Sequence, residues 1–514
     1  MPGPLLNALR ERAAAFTRWD TGAPQFTISR WIFLRLLGLI YLIAFVSLWT
    51  QIDGLIGSNG IQPAADFLNA VRQQLGAERY WRLPTLCWLA PGDAMLHALC
   101  VGGVLLSLLV TVGIAPMISL ILLWAFYLSL STVAGLFLGY QWDTLLLEVG
   151  FLAILYAPGG WWPRLAQETP PSRLARWLLW WLLFRLMFMS GAVKLLSNDD
   201  AWWGPSALTM HYETQCIPAR LGWWAHQLPG WFHTVSCAVM FVIELGAPFL
   251  IFCGRICRRI ASGLFVGLML LIALTGNYCF FNLLTIALSL TLLDDDFLKR
   301  ILPARFLQRL PNSAPVESAS ATRLALVASF GSVILIVSAT ETFARLLQLS
   351  SVPRPCIALL NWTAPFRSIN SYGLFAVMTK TRPEIIVEGS NDGQTWFPYE
   401  FKWKAGDLKR PPGYVAPHQP RLDWQMWFAA LQDVRGNQWF VNFLVRLLQG
   451  SPPVLGLLEK NPFPTAPPRY VRALLYEYHF TDPFTRAKTG EWWRRELKGE
   501  YCPVLSLNRD PRKP

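Results

Sequence analysis

Charged side chains inside long apolar runs are the first residues in this sequence that point to chemistry or to an unusual structural role. Six charges interrupt or border apolar runs: Arg35, Asp143, Glu148, Arg185, Lys194 and Glu244. A charge at membrane depth is costly, so it marks either a functional site or an internal ion pair. Arg185 stands in the middle of its run, and we expect it to pair with Glu148 or Glu244. A structural pair is the favoured interpretation, because pairing offsets the cost of burial.

The segment after Lys194 carries a second group of reactive side chains. His211 and Glu213 are followed by His226 and His233, so three of the six histidines fall within 23 residues. Such side chains can transfer protons or hold a metal ion. The spacing matches no zinc signature, so hydrogen-bonded loop side chains are favoured and we expect no metal and no other cofactor. Lys194, His211 and Glu213 remain the candidate catalytic residues.

The composition indicates what kind of chain positions these residues. Of the 514 residues, 53% are hydrophobic and 15% are charged, and the mean hydropathy is +0.34. Soluble globular proteins carry about 25% charged residues. The composition therefore excludes an ordinary soluble enzyme and a disordered chain, and it places most of the chain in a lipid bilayer.

Nine apolar runs are candidates for membrane-spanning helices. They cover 31–49, two stretches within 94–142 divided at Gly113 and Pro116, 144–157, 177–193, 231–253, 260–275, 278–293 and 324–343. The runs at 260–275 and 278–293 are short for a crossing of about 20 residues. The expected fold is therefore a multi-pass α-helical membrane bundle of eight or nine spans.

Lysine and arginine residues predict the orientation of this bundle. With nine spans and a cytoplasmic N-terminus, the cytoplasmic segments hold 15 Lys and Arg, whereas the opposite loops hold 4. The opposite loops are residues 50–93, 135–142, 195–230 and 276–277. Cytoplasmic loops carry such an excess. We therefore expect a cytoplasmic segment at 1–30, a transmembrane domain at 31–347 and a non-cytoplasmic domain at 348–514. The basic residues of the first part of the chain lie mostly in loops of this kind, so the net charge of +13 does not indicate a nucleic-acid partner.

The region 348–514 is about twice as densely charged as the rest and predicts a water-soluble domain. Strand patterns cover 384–388, 396–403 and 470–480, and helical patterns cover 423–431 and 439–449. The turn rich in Asn, Asp and Gly at 389–394 is typical of a β-hairpin. These patterns predict a β-sandwich-like domain with a helical insertion. Cys356 and Cys502 in this region can pair in an oxidising compartment.

Seven sequence blocks, in this order, carry a family resemblance. They are FRLMFMSGAVKLLSNDDAWW (184–203), SALTMHYETQCIP (206–218), AHQLPGWFH (225–233), GNYCFFNLLT (276–285), SNDGQTWFPYEFKWK (390–404), VAPHQPRLDWQMWFAAL (415–431) and PPRYVRALLYEYHFTD (467–482). Together they resemble the lipase maturation factors. The sequence departs from the family pattern at Cys216, where proline is expected.

The resemblance implies a multi-pass protein of the endoplasmic reticulum membrane that helps newly made dimeric lipases fold and assemble, without a known catalytic reaction. Its partners are then membrane lipid and secreted lipases, with the C-terminal domain in the lumen. In a bacterium the membrane is the inner membrane and the domain lies in the periplasm.

Four side chains at 421–428 are the candidates for client contact: Arg421, Trp424, Trp427 and Phe428. Aromatic residues and arginine dominate binding hot spots. The same spacing is typical of a helix packed on a sheet, and this packing interpretation is slightly favoured.

An enzyme of another class is the alternative. The stretch SGAVKL (190–195) is similar to the Gly-x-x-Lys-Leu stretch of vitamin K-dependent gamma-carboxylases, where a lysine acts as a base. Desolvation can lower the pKa of Lys194 toward such a role. A lysine that reaches toward the headgroups is the favoured interpretation. A transporter is disfavoured, because the intramembrane charges are few and repeat symmetry is absent.

Overall fold

Long helices form the first part of the structure. In this computed structural model the described residues are 25–165, 168, 170–303, 321–349 and 351–507. The main apolar helices are Thr27–Trp49 (α1), Asp93–Val112 (α2), Pro116–Ala134 (α3), Gln141–Tyr156 (α4), Arg173–Leu196 (α5), Gly230–Phe252 (α6), Arg255–Thr275 (α7), Phe281–Leu290 (α8) and Ala321–Leu346 (α9). Shorter helices between them are Ile52–Ile56, Ala64–Leu75, Arg79–Arg82, Asp200–Trp203, Ala207–Thr214, Arg220–His226 and Asp295–Ile301.

Seven of these helices, all except α4 and α8, are long and apolar enough to cross a membrane, counting the described residues alone. Helix α4 has 16 residues and α8 has 10, so both are shorter than the roughly 20 residues of a full crossing. The eight or nine expected spans thus correspond to seven long helices and two short apolar ones. The architecture is a multi-pass helical membrane bundle followed by a C-terminal region with sheets and helices.

Helix α1 begins at Thr27, four residues before the expected start at Trp31. The Asp295 carboxylate explains the earlier start, because it accepts hydrogen bonds from the backbone N–H groups of Thr27 at 2.9 Å and Ile28 at 3.0 Å. An anionic cap satisfies free N–H groups at a helix N-terminus. Of the expected cytoplasmic segment 1–30, residues 1–24 lie outside the described residues.

The C-terminal region contains two antiparallel sheets and several helices. Its strands are Pro383–Ser390 (β1), Phe397–Pro398 (β2), Glu400–Phe401 (β3), Leu458–Lys460 (β4), Tyr470–Phe480 (β5) and Trp493–Leu505 (β6). Its helices are Arg354–Thr363 (α10), Arg421–Ala430 (α11), Gln438–Gln449 (α12), Pro452–Leu455 (α13) and Pro483–Thr489 (α14). The larger sheet has the order β2-β1-β5-β6, and β3 pairs with β4 in the smaller one.

The expected hairpin is present, with Gly389 of β1 opposite Phe397 of β2. Its second strand differs from the expectation, because the chain leaves the larger sheet after Pro398 and joins the smaller sheet at Glu400. The single strand expected at 396–403 is therefore divided between two sheets.

The C-terminal region packs directly on one end of the bundle. One hydrophobic core contains Tyr41 and Leu146 of the bundle together with Trp424 and Phe440 of the C-terminal region. Each of the four loops predicted to be non-cytoplasmic also forms a hydrogen bond with this region. The bonding groups are the backbone carbonyls of Gly60, Leu136 and Thr214 and the side chain of Asn277. We call this end of the bundle, which includes these four loops, the docked end.

All nine cysteines are free, so Cys356 and Cys502, which the sequence allowed to pair, form no disulfide. Cys356 lies in α10, beside the bundle, whereas Cys502 is buried in β6. The two cysteines belong to different layers of the fold, which the sequence spacing did not reveal.

Candidate functional site

Arg421 and Asp143 form a buried ion pair between the C-terminal region and the bundle. Arg421 begins α11, and its Nη1 and Nη2 atoms donate to Oδ2 and Oδ1 of Asp143, both at 3.0 Å. Both side chains are 0% exposed. The Tyr127 hydroxyl donates to the same carboxylate at 2.5 Å, and the Phe137 carbonyl accepts from Arg421 at 2.5 Å. A two-pronged pair of this kind imposes both strength and orientation, so it holds α11 against α4.

Arg185 pairs with Glu148 inside the bundle. Of the two partners expected for Arg185, Glu148 is therefore the one in contact. The Glu148 carboxylate also accepts from the backbone N–H of Asn370 at 2.9 Å and the hydroxyl of Tyr372 at 2.6 Å. Arg185 donates in turn to the Asn370 carbonyl at 2.9 Å. The segment after α10 thus completes the hydrogen bonds of an intramembrane charge pair.

Glu244 is instead the partner of Lys194. The Lys194 ammonium donates to Glu244 Oε2 at 2.7 Å and to the Ser190 carbonyl at 3.0 Å, and Lys194 is 4% exposed. Glu244 stands in a π-helical turn, Val242–Gly246, within α6. The expectation that Lys194 reaches toward the headgroups is therefore wrong. A carboxylate supplied by this turn compensates the charge of Lys194 inside the protein.

His211 lies in a second buried polar group. Its Nε2 is 3.2 Å from the Tyr278 hydroxyl, which donates to Gln215 Oε1 at 3.0 Å. Burial, assisted by the positive charge of Lys194, lowers the pKa of His211 to about 4. The imidazole is therefore neutral at neutral pH and acts as a hydrogen-bonding group.

Glu213 binds the C-terminal region. Its Oε1 is 3.2 Å from Nδ1 of His479, and its Oε2 accepts from the backbone N–H of Phe480 at 2.8 Å. His226 Nε2 lies 3.9 Å from Oε2 of the same carboxylate. The three candidate catalytic residues thus have different partners: Lys194 contacts α6, His211 contacts Tyr278 and Glu213 contacts β5. The contribution of His479 was missed, because it stands 266 residues from Glu213.

A buried charged triad in the C-terminal region was also missed. Arg382 and Lys404 both contact the Glu384 carboxylate, at 2.7 and 2.9 Å, and all three side chains are at most 2% exposed. Arg382 also donates to the backbone carbonyls of Glu213 and Gln215, at 2.8 and 2.5 Å. One sequence feature could have predicted this buried charge. Glu384 stands directly before Ile-Ile-Val in a strand that is buried along most of its length. The triad ties β1 to the Ala207–Thr214 helix.

The candidate client-contact residues of α11 occupy two environments. Arg421, Trp424 and Trp427 are buried. Trp424 packs edge-to-face on Trp142 with ring centroids 4.8 Å apart, and Trp427 Nε1 donates to the Thr214 carbonyl at 3.0 Å. Phe428 is 37% exposed. Three of the four side chains thus pack in the interior, and Phe428 alone of the four presents substantial surface.

Metal-ligating side chains are scattered in the part of the chain that the structure describes. Among those residues, no three His, Cys, Asp or Glu side chains are grouped so that they could hold a metal ion. The charged groups of this site are instead engaged with one another and with backbone groups. Their arrangement can join the C-terminal region firmly to the helices.

The fold and the site define a multi-pass membrane protein whose C-terminal β-rich region is locked onto one end of the bundle by buried ion pairs. Residues 28–300 match the lipase maturation factor transmembrane domain, and residues 368–503 match the lipase maturation factor C-terminal domain. The chain belongs to the lipase maturation factor family. The family model and the relatives give no support to the carboxylase alternative, since all are named as maturation factors.

Similar proteins cover nearly the whole chain. Lipase maturation factor 2 of Rattus norvegicus is 37% identical over 93% of this chain and 83% of its own length. Its Homo sapiens counterpart is 37% identical over 94% of this chain and 83% of its own length. Lipase maturation factor 1 of Mus musculus is 34% identical over 97% and 90%. No solved structure matches the chain.

Proposed function

We propose that this chain is a membrane-embedded maturation factor that assists the folding and assembly of secreted lipases. The observation that carries this proposal is the match to both domains of the family together with relatives named lipase maturation factor along almost the full chain. Its activity is binding rather than covalent chemistry, and its substrate is an incompletely folded lipase.

The geometry of the docked end supports a fixed surface for such a client. The Arg421–Asp143 pair joins the C-terminal region to the bundle, and the Arg185–Glu148 pair inside the bundle accepts a hydrogen bond from Asn370 of that region. Phe428 is the exposed aromatic side chain that we assign to client contact, since aromatic side chains dominate binding hot spots. We place residues 31–347 in the endoplasmic reticulum membrane or, in a bacterium, in the inner membrane. Residues 348–514 then lie on the non-cytoplasmic side of that membrane.

The test is an add-back experiment in cells of the source organism that lack this gene. The readout is lipase activity per amount of secreted lipase, with the amount of this protein in the membrane measured in parallel. The wild-type chain should restore lipase specific activity. Unchanged lipase activity in the cells without the gene would overturn the maturation function.

Lys194→Arg in the same cells separates binding from catalysis. Arginine keeps the positive charge opposite Glu244 but cannot release its proton near neutral pH, so a catalytic base is lost and an ion pair is kept. We expect lipase maturation to persist. Lys498→Arg is the matched control, because Lys498 is exposed in β6. Loss of maturation in Lys194→Arg at unchanged protein level and melting temperature would favour the enzyme alternative.

A further inference from the structure

A cavity of about 690 Å³ lies at the docked end of the bundle. Its walls come from the short helix Arg79–Arg82, from the last turn of α3 and from α10 with the residues that follow it. The side chains used below are Trp81, Arg82, Thr132, Trp362 and Arg367. Thr132 belongs to the final turn of α3, a helix that is long and apolar enough to cross a membrane.

Two indole rings form the apolar walls of this cavity. The ring centroids of Trp81 and Trp362 are 5.8 Å apart, and Phe366 packs edge-to-face on Trp81 at 5.5 Å. Trp81 is 49% and Trp362 is 51% exposed. Tryptophan is enriched at membrane–water interfaces, where its ring lies among the lipid headgroups. The exposed indoles therefore fit a wall that borders lipid.

Arg367 brings a cation that has no anionic partner among the described residues. Its guanidinium is partly buried and donates to the Ser131 carbonyl at 3.4 Å, and its backbone is left-handed with φ 47°. Burial lowers the pKa of Arg367 below its ordinary value, and the charge of the more distant Asp143 opposes this effect. A partly desolvated guanidinium without a carboxylate is a binding group for an external anion.

Arg82 adds a second positive charge at the mouth of the cavity. Its Nε donates to Glu78 Oε2 at 2.8 Å, but both side chains are more than 60% exposed. An exposed pair of this kind contributes little and is readily exchanged. The guanidinium fork of arginine matches the geometry of a phosphate group. The residues that line the cavity include no Asp or Glu.

We propose that this cavity binds the headgroup of an anionic phospholipid from the leaflet on the docked side. Arg367 and Arg82 bind the phosphate, and Trp81 and Trp362 contact the glycerol and the start of the acyl chains. A free phosphate ion has no apolar surface to contact the two indole walls, whereas a lipid has, so a lipid fits the cavity better. This site is independent of the maturation function, so either proposal can fail without the other.

The experiment measures lipid retained by the purified full chain in native mass spectrometry. Phosphatidylglycerol and phosphatidylcholine with the same acyl chains are added together after delipidation. Both headgroups carry a phosphate, but only phosphatidylcholine also carries a cation, which the two arginines repel. We therefore expect preferential retention of phosphatidylglycerol, and a loss of about fivefold in that preference for each of Arg367→Gln and Arg82→Gln. Arg72→Gln, an exposed change in the same loop and outside the cavity, should retain the wild-type preference.

Two competitors test the source of the anion. Inorganic phosphate and a glutamate-rich peptide should each fail to displace phosphatidylglycerol at concentrations equal to that of the lipid. Displacement by phosphate would show an ion site, and displacement by the peptide would show a protein-binding site; either result overturns the lipid assignment. Equal retention of both lipids also overturns it. If Arg367→Gln lowers the melting temperature, the exposed changes Arg82→Gln and Trp362→Ala are compared instead.

Discussion

Buried charges at the junction between bundle and C-terminal region work in pairs, so the loss of one partner should cost more than the loss of both. Arg421→Met leaves the Asp143 carboxylate buried with only the Tyr127 hydroxyl from a side chain. We expect a loss of about 3–5 kcal/mol in the free energy of unfolding, because an uncompensated buried charge is destabilising. Thermal melting in detergent measures this loss as a lower melting temperature.

The double variant Arg421→Met with Asp143→Asn is the informative comparison. It should melt above Arg421→Met, since no unpaired charge remains. Arg435→Gln, an exposed change in the C-terminal region, is the control and should melt like the wild type. Additive losses in the double variant would contradict the proposed coupling.

His211 predicts a dependence of stability on pH. Its pKa is about 4 in the folded protein because of burial, against about 6.5 in an unfolded chain. The neutral imidazole therefore contributes stability that is complete above about pH 6.5 and is lost as the pH falls toward 4. The loss at pH 5 amounts to about 2 kcal/mol. Between pH 7 and pH 5, the melting temperature should fall more steeply with decreasing pH for the wild type than for His211→Gln.

The comparison needs two further histidines and one control. Burial also lowers the pKa of His418 to about 4 and lowers the pKa of His226, so part of the pH dependence should survive in His211→Gln. Gln438→Ala, an exposed change at a residue without a titratable group, is the control and should keep the wild-type slope. An identical slope in the wild type and in His211→Gln would show that His211 does not resist protonation.

Helix α11 packs the C-terminal region against the bundle. Its Trp424 and Trp427 are buried against Trp142 and the Thr214 carbonyl. Trp424→Ala or Trp427→Ala should lower the free energy of unfolding by about 3–5 kcal/mol, because removal of a large buried side chain leaves a cavity. Limited proteolysis should then release the C-terminal region from the membrane fraction at a lower protease concentration.

Phe428→Ala on the same helix distinguishes packing from client contact. Phe428 is partly exposed, so its removal should change the melting temperature little. Lipase maturation should fall in this variant at unchanged protein level, since the exposed ring is the assigned contact. Unchanged maturation would move the client surface away from α11.

Four of the loops between the bundle helices lie on the same side of the bundle as the C-terminal region. The four loops that the charge count places outside all bond to the C-terminal region, so they cannot lie on opposite faces of a membrane. Together with the Lys and Arg excess in the other loops, this predicts a non-cytoplasmic C-terminus. A reporter that is active only outside the cytoplasm should be active when fused after Asn508.

A reporter fused after Gly254, which precedes α7 at the opposite end of the bundle, is the control and should be silent. A cytoplasmic-type reporter at the two positions should give the reverse pattern. An active cytoplasmic reporter after Asn508 would invert the topology and remove the C-terminal region from contact with secreted clients.

Local patterns were sufficient for the long apolar helices and part of the sheet. A membrane helix needs about 20 consecutive apolar residues, and that requirement is visible in runs such as 31–49 and 231–253. The hairpin of β1 and β2 was likewise visible, because its turn residues lie next to one another in the chain. The same local patterns did not show that Asp295 caps α1 or that the strand at 396–403 divides between two sheets.

The partners of the buried charges depend on the packing of distant segments. The sequence showed that Arg185 needs a carboxylate, since an unpaired charge in an apolar run is costly, but it left two candidates equal. Asp143 and Arg421 are separated by 278 residues, and Lys194 and Glu244 by 50. No periodicity connects such positions. Their pairing follows from the way the C-terminal region and the π-helical turn of α6 are folded against the bundle, which also buries Trp424 and Trp427 and leaves Phe428 at the surface.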